Sequence, residues 1–344
     1  MLDTIRLRAA DQADVERAAE LLRAGRLVAF PTETVYGLGA NALSVEAVAG
    51  IFVAKQRPAW DPLIVHVPGV GDIDRIARIP DELRRCVEQL AAAFWPGPLT
   101  MLLPRSAAVP DAVTAGRPLV GIRVPSHPAA QALLHATGLP IAAPSANRFG
   151  HTSPTTADHV LADLGGRIDA VLDAGPTHVG IESTVIDVTH TPIVQYRPGA
   201  ITPHQIEATC GIPVDVYAPP ASQKNVSEPE ALPSPGVGIR HYAPRARVRL
   251  VEGSSASLQR KLAAALAEEK NAGVLLPIGW PAPQNAIVQP WATWEQPERL
   301  AATLFAGLRA LDARGVDNIL VPLPPPGGMY DAIRDRLLKA AREK

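Results

Sequence analysis

The chain is poor in cysteine, in net charge and in long apolar runs. Its only cysteines, Cys86 and Cys210, stand far apart without CxxC spacing. That argues against a disulfide framework or a cysteine-held zinc. The 33 basic and 34 acidic residues nearly cancel. Net charge therefore does nothing to favour a nucleic acid or an anionic membrane surface, although a local basic pocket stays open. No apolar run approaches the ~20 residues that span a bilayer. The opening stretch MLDTIRLRAADQADVERAAE is charged and has no apolar h-region, which reads against a signal peptide. The expectation is a cytoplasmic protein with no membrane partner. Sequence signatures are missing too. There is no GxxxxGK(S/T) phosphate loop, no GxGxxG after a strand and no GxSxG nucleophile elbow. Any nucleotide has to be held by scattered cations and hydroxyls.

What is present is an ordinary globular composition, 47% hydrophobic, over 344 residues, long enough for two domains. Residues 1–208 alternate short aliphatic runs with helical patterns. Asp11 can cap a helix through Ala24 with Gly25 as its stop, and Ser44 one from Val45 to Lys55. Strands are expected at Leu27–Phe30, Pro62–Val67, Leu99–Leu103, Leu119–Val124, Pro140–Ala143, Ala170–Asp173, Thr184–Val188 and Ile193–Tyr196. Further helices fall near 81–94, 127–136 and 155–163. This mixture predicts an α/β fold built on a twisted open sheet with flanking helices. Residues 209–245 read as a linker, prolines making 218–236 semi-rigid. Residues 246–344 predict a smaller, Rossmann-like three-layer α/β domain with three strands and three helices.

Polar residues gather where these elements end. Lys55 and Arg57 close a helix; they either complement the negative end of its dipole or clamp a phosphate. Ser145 and Asn147 follow the strand-like Pro140–Ala143; turn chemistry and a ligand contact at a strand's carboxyl end both account for them. Arg123 lies in an apolar strand, with Gly121 leaving room beside it. A buried guanidinium needs an anion, either a structural carboxylate or that of a substrate. His66 reads as a hydrogen-bonding strand histidine, and no second His or Cys near it has metal-ligand spacing. Thr32, Thr34, Ser183 and Thr184 are small hydroxyls beside strands. Glu33 and Glu182 adjoin them and are candidate bases.

Taken in order, PTETVYGLG, AKQRP, PLIVHV, VGIRVP, APSANRFG with SPT, IESTVID and YRPG resemble the YrdC/YwlC family. With SPGVGIRHYAP and the second domain, the chain resembles the family's long form. The resemblance implies a YrdC-like catalytic domain that makes L-threonylcarbamoyladenylate from L-threonine, bicarbonate and ATP and releases pyrophosphate. That product serves the threonylcarbamoyl modification of tRNA adenosine beside the anticodon, through a downstream threonylcarbamoyl transferase complex. Direct tRNA binding is compatible with the resemblance and not required by it. It also implies that Lys55, Arg57, Ser145 and Asn147 carry the catalysis. Asp61, Leu119, Ser153, Arg197 and Tyr242 join Arg57 and Ser145 around the nucleotide. Thr34, His66, Arg123, Ala143 and Ser183 form a threonine pocket. Mg2+ is expected with the triphosphate, and no metal held by protein side chains. Residues 234–244 would fold over the site as a lid, bringing His241 and Tyr242 to the ligands. Asp61 stands where the family commonly has Asn, Leu119 where it has a small hydroxyl residue, and Val237-Gly238-Ile239 where Met-Lys-Tyr is usual. Other functions open to this fold are an RNA-binding module and a carbamoyl transferase.

Overall fold

A computed structural model of the protein describes residues 2–218, 232, 234, 242–283 and 286–342. The first eleven strands are β1 (Ile5–Arg8), β2 (Val28–Pro31), β3 (Tyr36–Asn41), β4 (Ile64–His66), β5 (Leu99–Pro104), β6 (Leu119–Arg123), β7 (Ile141–Ala142), β8 (Ala170–Asp173), β9 (Thr184–Asp187), β10 (Ile193–Arg197) and β11 (Val214–Val216). They form one mixed sheet in the order β1-β8-β2-β3-β7-β4-β6-β5-β9-β10-β11. Flanking it are α1 (Gln12–Arg23), α2 (Val45–Lys55), α3 (Asp81–Phe94), α4 (Asp111–Thr114), α5 (Pro128–Thr137), α6 (Ala157–Leu164) and α7 (Pro203–Cys210). β11 pairs in parallel with β10, so this sheet runs past residue 208, where the sequence reading starts a linker.

Local chemistry sets the ends. Asp11 accepts from the Ala13 amide and Ser44 from the Ala47 amide, each capping the helix that follows. Gln56 closes α2 in a left-handed conformation, φ 54°. That turn throws Arg57 back toward the sheet. One strand pair packs unusually close. A Cβ on Gly39 would come within 2.9 Å of the Phe30 ring, so the β2–β3 hairpin has no space for a larger residue there. One large apolar cluster fills the side of the sheet covered by α2 and α3 and a smaller one the side covered by α1 and α5.

The second domain contains β12 (Arg247–Val251), α8 (Ser255–Ala267), β13 (Ala272–Ile278), β14 (Ile287–Thr293), α9 (Pro297–Ala313), β15 (Asn318–Pro322) and α10 (Met329–Ala340). Its sheet is all parallel in the order β12-β15-β13-β14. It has four strands, not the expected three. The extra one, β14, carries Pro290 and lies at the sheet edge, the position where a residue without an amide proton is tolerated.

The domains share a core. Val35 and Ile181 of the first pack in the same apolar cluster as α9 and α10. Arg309 of α9 pairs with Asp163 at 2.8 Å and donates to the Thr152 carbonyl. The loop from Gly175 to Ser183 is caught between: the Gly180 amide donates to the Thr34 carbonyl at 3.0 Å. A Cβ on Gly180 would stand 2.4 Å from the Ala302 backbone of α9. Gly180 and Gly175 both have positive φ, 76° and 78°, but a Cβ on Gly175 would meet nothing. Both Gly→Ala changes therefore share the backbone strain, and only Gly180→Ala adds a collision. In urea melts, G180A is expected to lose about 1–3 kcal/mol more than G175A; equal losses would show that the interface is not tight there.

Candidate active site

The polar loops converge on one cleft of about 550 Å³, counting the part open to solvent. Thr32 and Thr34 come from the β2–β3 turn. That turn is stapled by the Thr32 hydroxyl, which donates to the Val35 carbonyl at 2.7 Å. His66 and Arg123 face each other in register at the carboxyl ends of the parallel strands β4 and β6. Ala143 and Ser145 follow β7, where the Ala146 amide donates to the Tyr36 carbonyl at 2.8 Å. Ser183 precedes β9. Arg197 ends β10 just past an irregularity in its register with β9, a device that re-aims side chains.

All five residues expected to serve threonine line the cleft: Thr34, His66, Arg123, Ala143 and Ser183. Of those expected around the nucleotide, Arg57, Ser145, Arg197 and Tyr242 line it as well. Lys55, Asn147, Asp61, Leu119 and Ser153 do not. Lys55 is buried behind the wall, its ammonium donating to the Ser145 and Asn147 carbonyls at 2.5 Å each. Burial, with Arg57 beside it, pushes its pKa well down. Asn147 donates to the carbonyls of Arg148 and His151. In this arrangement both residues shape the Ser145 loop. Leu119 is half-buried against the small Ile64–Leu102–Val185 cluster. Gly121 gives space to Thr100, Leu102 and Ile64, not to the Arg123 guanidinium as its position in the sequence suggests.

The charges are arranged in pairs. Arg57 meets Asp61 at 2.9 Å, with both side chains buried. Arg123 meets Glu33 at 2.7 Å and also donates to the Thr34 hydroxyl at 2.9 Å. Arg123 thus has a structural carboxylate and still lines the cleft. Glu182 accepts from Ser153 at 2.5 Å and from Arg336 of α10 at 2.7 Å. Neither glutamate is a free base: burial raises the Glu33 carboxyl, but Arg123 outweighs it and the net shift is downward. Arg197 differs. It donates to the Ser183 carbonyl at 3.0 Å and to the Ser183 hydroxyl at 3.1 Å, and no carboxylate pairs with it among the described residues. His66 is held neutral, burial and then Arg123 pushing it down to about 3. Its ring stands edge-on to Phe30, and its buried Nδ1 has no partner among the described residues.

Parts of the expected lid, and Leu232 just before it, are described. The Leu232 amide donates to the Trp60 carbonyl at 3.0 Å, Ser234 is buried, and the Ala243 amide donates to the Gly150 carbonyl at 2.9 Å. Tyr242 stacks on Phe305 of α9 and turns its ring toward the cleft. His241 and Val237-Gly238-Ile239 lie outside the described residues. Sequence reasoning missed Arg336, Phe305 and the pairing roles of Glu33 and Glu182. The described residues contain no cluster of three His, Cys, Asp or Glu side chains suited to a metal ion, and no helix long and apolar enough to cross a membrane.

A mixed sheet with a parallel second domain, enclosing a cleft of hydroxyls and guanidiniums, defines a binder of small anionic ligands. Residues 20–199 match the Sua5–YciO–YrdC model, described as telomere recombination, and residues 201–342 match the threonylcarbamoyl-AMP synthase C-terminal domain. The threonylcarbamoyl-AMP synthase of Pyrococcus abyssi is 43% identical over 94% of this chain and 93% of its own length. That of Bacillus subtilis is 43% identical over 95% and 92%. The crystal structure of P. abyssi Sua5 complexed with L-threonine is 42% identical, covers 98% of this chain and 97% of its own, and superposes with a TM-score of 0.86. The chain belongs to the threonylcarbamoyl-AMP synthase family.

Burial of neutral His66 has a consequence for stability. Unfolded, the ring takes a proton near its ordinary 6.5; folded, it does so only at about 3. Between those values the unfolded state binds the extra proton, so this contribution is complete above 6.5 and is lost as pH falls. Unfolding free energies from urea melts across that window are expected to fall by up to ~1.4 kcal/mol for each unit the pH is lowered, from this group. His66→Asn should flatten the slope; an unchanged slope would place the titration elsewhere.

Proposed function

We propose that the protein condenses L-threonine, bicarbonate and ATP into L-threonylcarbamoyladenylate and pyrophosphate, for the threonylcarbamoyl modification of tRNA adenosine. The observation that carries this reading is Arg197, a buried guanidinium on the cleft wall with no carboxylate partner among the described residues. Such a charge calls for an anionic ligand. Arg197 and Arg57 are matched to the phosphates of ATP, the substrate, which ordinarily carries a magnesium ion. Ser145 and Tyr242 face the same part of the cleft.

Thr34, Ser183 and the Nδ1 of His66 offer hydrogen bonds suited to the hydroxyl, amine and carboxylate of threonine, with Arg123 beside the carboxylate. In the reaction, the threonine nitrogen bonds to the carbon of bicarbonate, water leaves, and a carbamate forms. A carbamate oxygen then attacks the α-phosphorus, and the bond to pyrophosphate breaks. No enzyme nucleophile is needed, consistent with Glu33 and Glu182 being tied to arginines. The chain's work is to hold the two substrates in line and to meet the charge on the phosphates. Closure of the segment carrying Tyr242 would keep water from the mixed anhydride.

Incubation of purified protein with ATP, labelled bicarbonate and L-threonine is expected to yield pyrophosphate and a labelled threonylcarbamoyl nucleotide; a folded protein that makes neither overturns the assignment. Thr34→Val removes a hydroxyl that both lines the cleft and accepts from Arg123. It should raise the KM for threonine about 10–100-fold, the range for losing a buried hydrogen bond, while the KM for ATP stays close to wild type. Equal rises in both would argue against a threonine pocket at this position.

A further inference from the structure

Arg336 lies in the second domain, yet among the described residues it is the largest fully buried side chain, and it pairs with Glu182 of the cleft wall. Its Nε donates to Glu182 Oε2 at 2.7 Å. One terminal nitrogen donates to the carbonyls of Glu182 and Pro198, at 3.3 and 3.1 Å, and the other to Asp335 at 2.6 Å. The guanidinium also lies 5.1 Å from the centre of the Tyr242 ring. It therefore grips both segments that supply the anion-facing wall: Glu182 next to Ser183, and Pro198 next to Arg197.

Glu182 lines the same cleft as Arg197, and Arg197 is held on the residue that follows it, Ser183. A buried carboxylate so close to a buried guanidinium that has no carboxylate partner among the described residues will pair with it unless something stronger holds it back. Two groups do: Arg336 takes one carboxylate oxygen and Ser153 the other. Asp335 and Lys339 complete the chain behind, with Lys339 meeting Asp335 at 2.8 Å.

We propose that Arg336 is a positioning residue, through which the second domain holds Glu182 away from Arg197 and so leaves Arg197 available to the phosphates of the nucleotide. This rests on the reading of the cleft as an ATP site. Arg336 touches neither substrate. Its effect passes through a carboxylate that would otherwise compete with ATP for the same guanidinium. The second domain is then part of the nucleotide site, although it contributes no phosphate ligand of its own.

The test is ATP binding measured by calorimetry on the full chain, with threonine binding measured in parallel. R336M is expected to weaken ATP about tenfold or more, the scale of coupling within one charge network, with threonine affinity little changed. Adding E182Q removes the competing carboxylate, so the double variant R336M/E182Q should recover ATP affinity to within about threefold of wild type. A merely structural role for Arg336 predicts no such rescue, because the double variant lacks both partners of the pair. Unchanged ATP affinity in a folded R336M overturns the proposal, and so does a double variant no better than R336M. Should R336M fail to fold, the double variant R336M/E182Q carries the test on its own: it should bind ATP within about threefold of wild type, and a folded double variant that binds ATP about tenfold or more weakly overturns the proposal. Wild-type protein that binds no ATP overturns the functional reading itself, an outcome separate from the others because it precedes any variant.

Discussion

A guanidinium in a water-poor cleft must find a negative partner or keep its water; Arg57, Arg123 and Arg197 line this cleft, and Arg336 lies behind it on Glu182. Three are matched by carboxylates, at 2.9 Å from Asp61, 2.7 Å from Glu33 and 2.7 Å from Glu182. Buried pairs of this kind add little net stability, since desolvation offsets most of the attraction. Losing one partner, however, costs about 3–5 kcal/mol. Their effect is on geometry. Each pair fixes where a loop runs: the end of α2, the β2–β3 turn and the entry to β9. The leftover positive charge is then concentrated at Arg197. A cleft carrying four free arginines would repel itself open; one with four pairs would have nothing to offer an anion.

The second domain takes part in that arrangement. Its α9 presses on Gly180, whose amide secures the Thr34 loop, and its Phe305 backs Tyr242. Its α10 supplies Arg336. The walls proposed to face threonine and phosphate are thus both braced from the same side, by one continuous apolar cluster that includes Val35, Ile181 and Tyr242. Movement between the domains would loosen both walls together.

Much of this was legible in the sequence because it depends on local rules. Caps at Asp11 and Ser44 and the period of the aliphatic runs give most elements to within a few residues. β3 escaped because YGLGAN carries two glycines, which the strand pattern does not favour, although the close approach to Phe30 requires one of them. The cleft-lining residues proposed for threonine were readable as polar punctuation at strand ends. What local rules do not show is pairing across distance. Nothing near Glu182 announces a partner 154 residues later. A signal was nevertheless there: Ala332, Ile333, Arg336, Leu337 and Ala340 share the buried face of α10. An arginine at a core position of an amphipathic helix has to be answered by a buried anion, and Glu182 was one of few candidates.

Asp61 fits the same logic. Read in sequence, an acid where the family commonly has an amide adds a negative charge beside the proposed phosphate site and looks like a defect. In the fold it does not line the cleft. It faces Arg57 behind the wall, and the Arg57 guanidinium also donates to the Asp61 and Pro62 carbonyls. An amide at that position would hold Arg57 in place without cancelling its charge. The carboxylate holds it and cancels it, which, on the proposed reading of the cleft, shifts the burden of meeting the phosphates further toward Arg197. The substitution thus alters where positive charge is available along the cleft while leaving the loop that carries Arg57 unchanged, and it makes the separation of Glu182 from Arg197 matter more in this chain than it would in one carrying the amide.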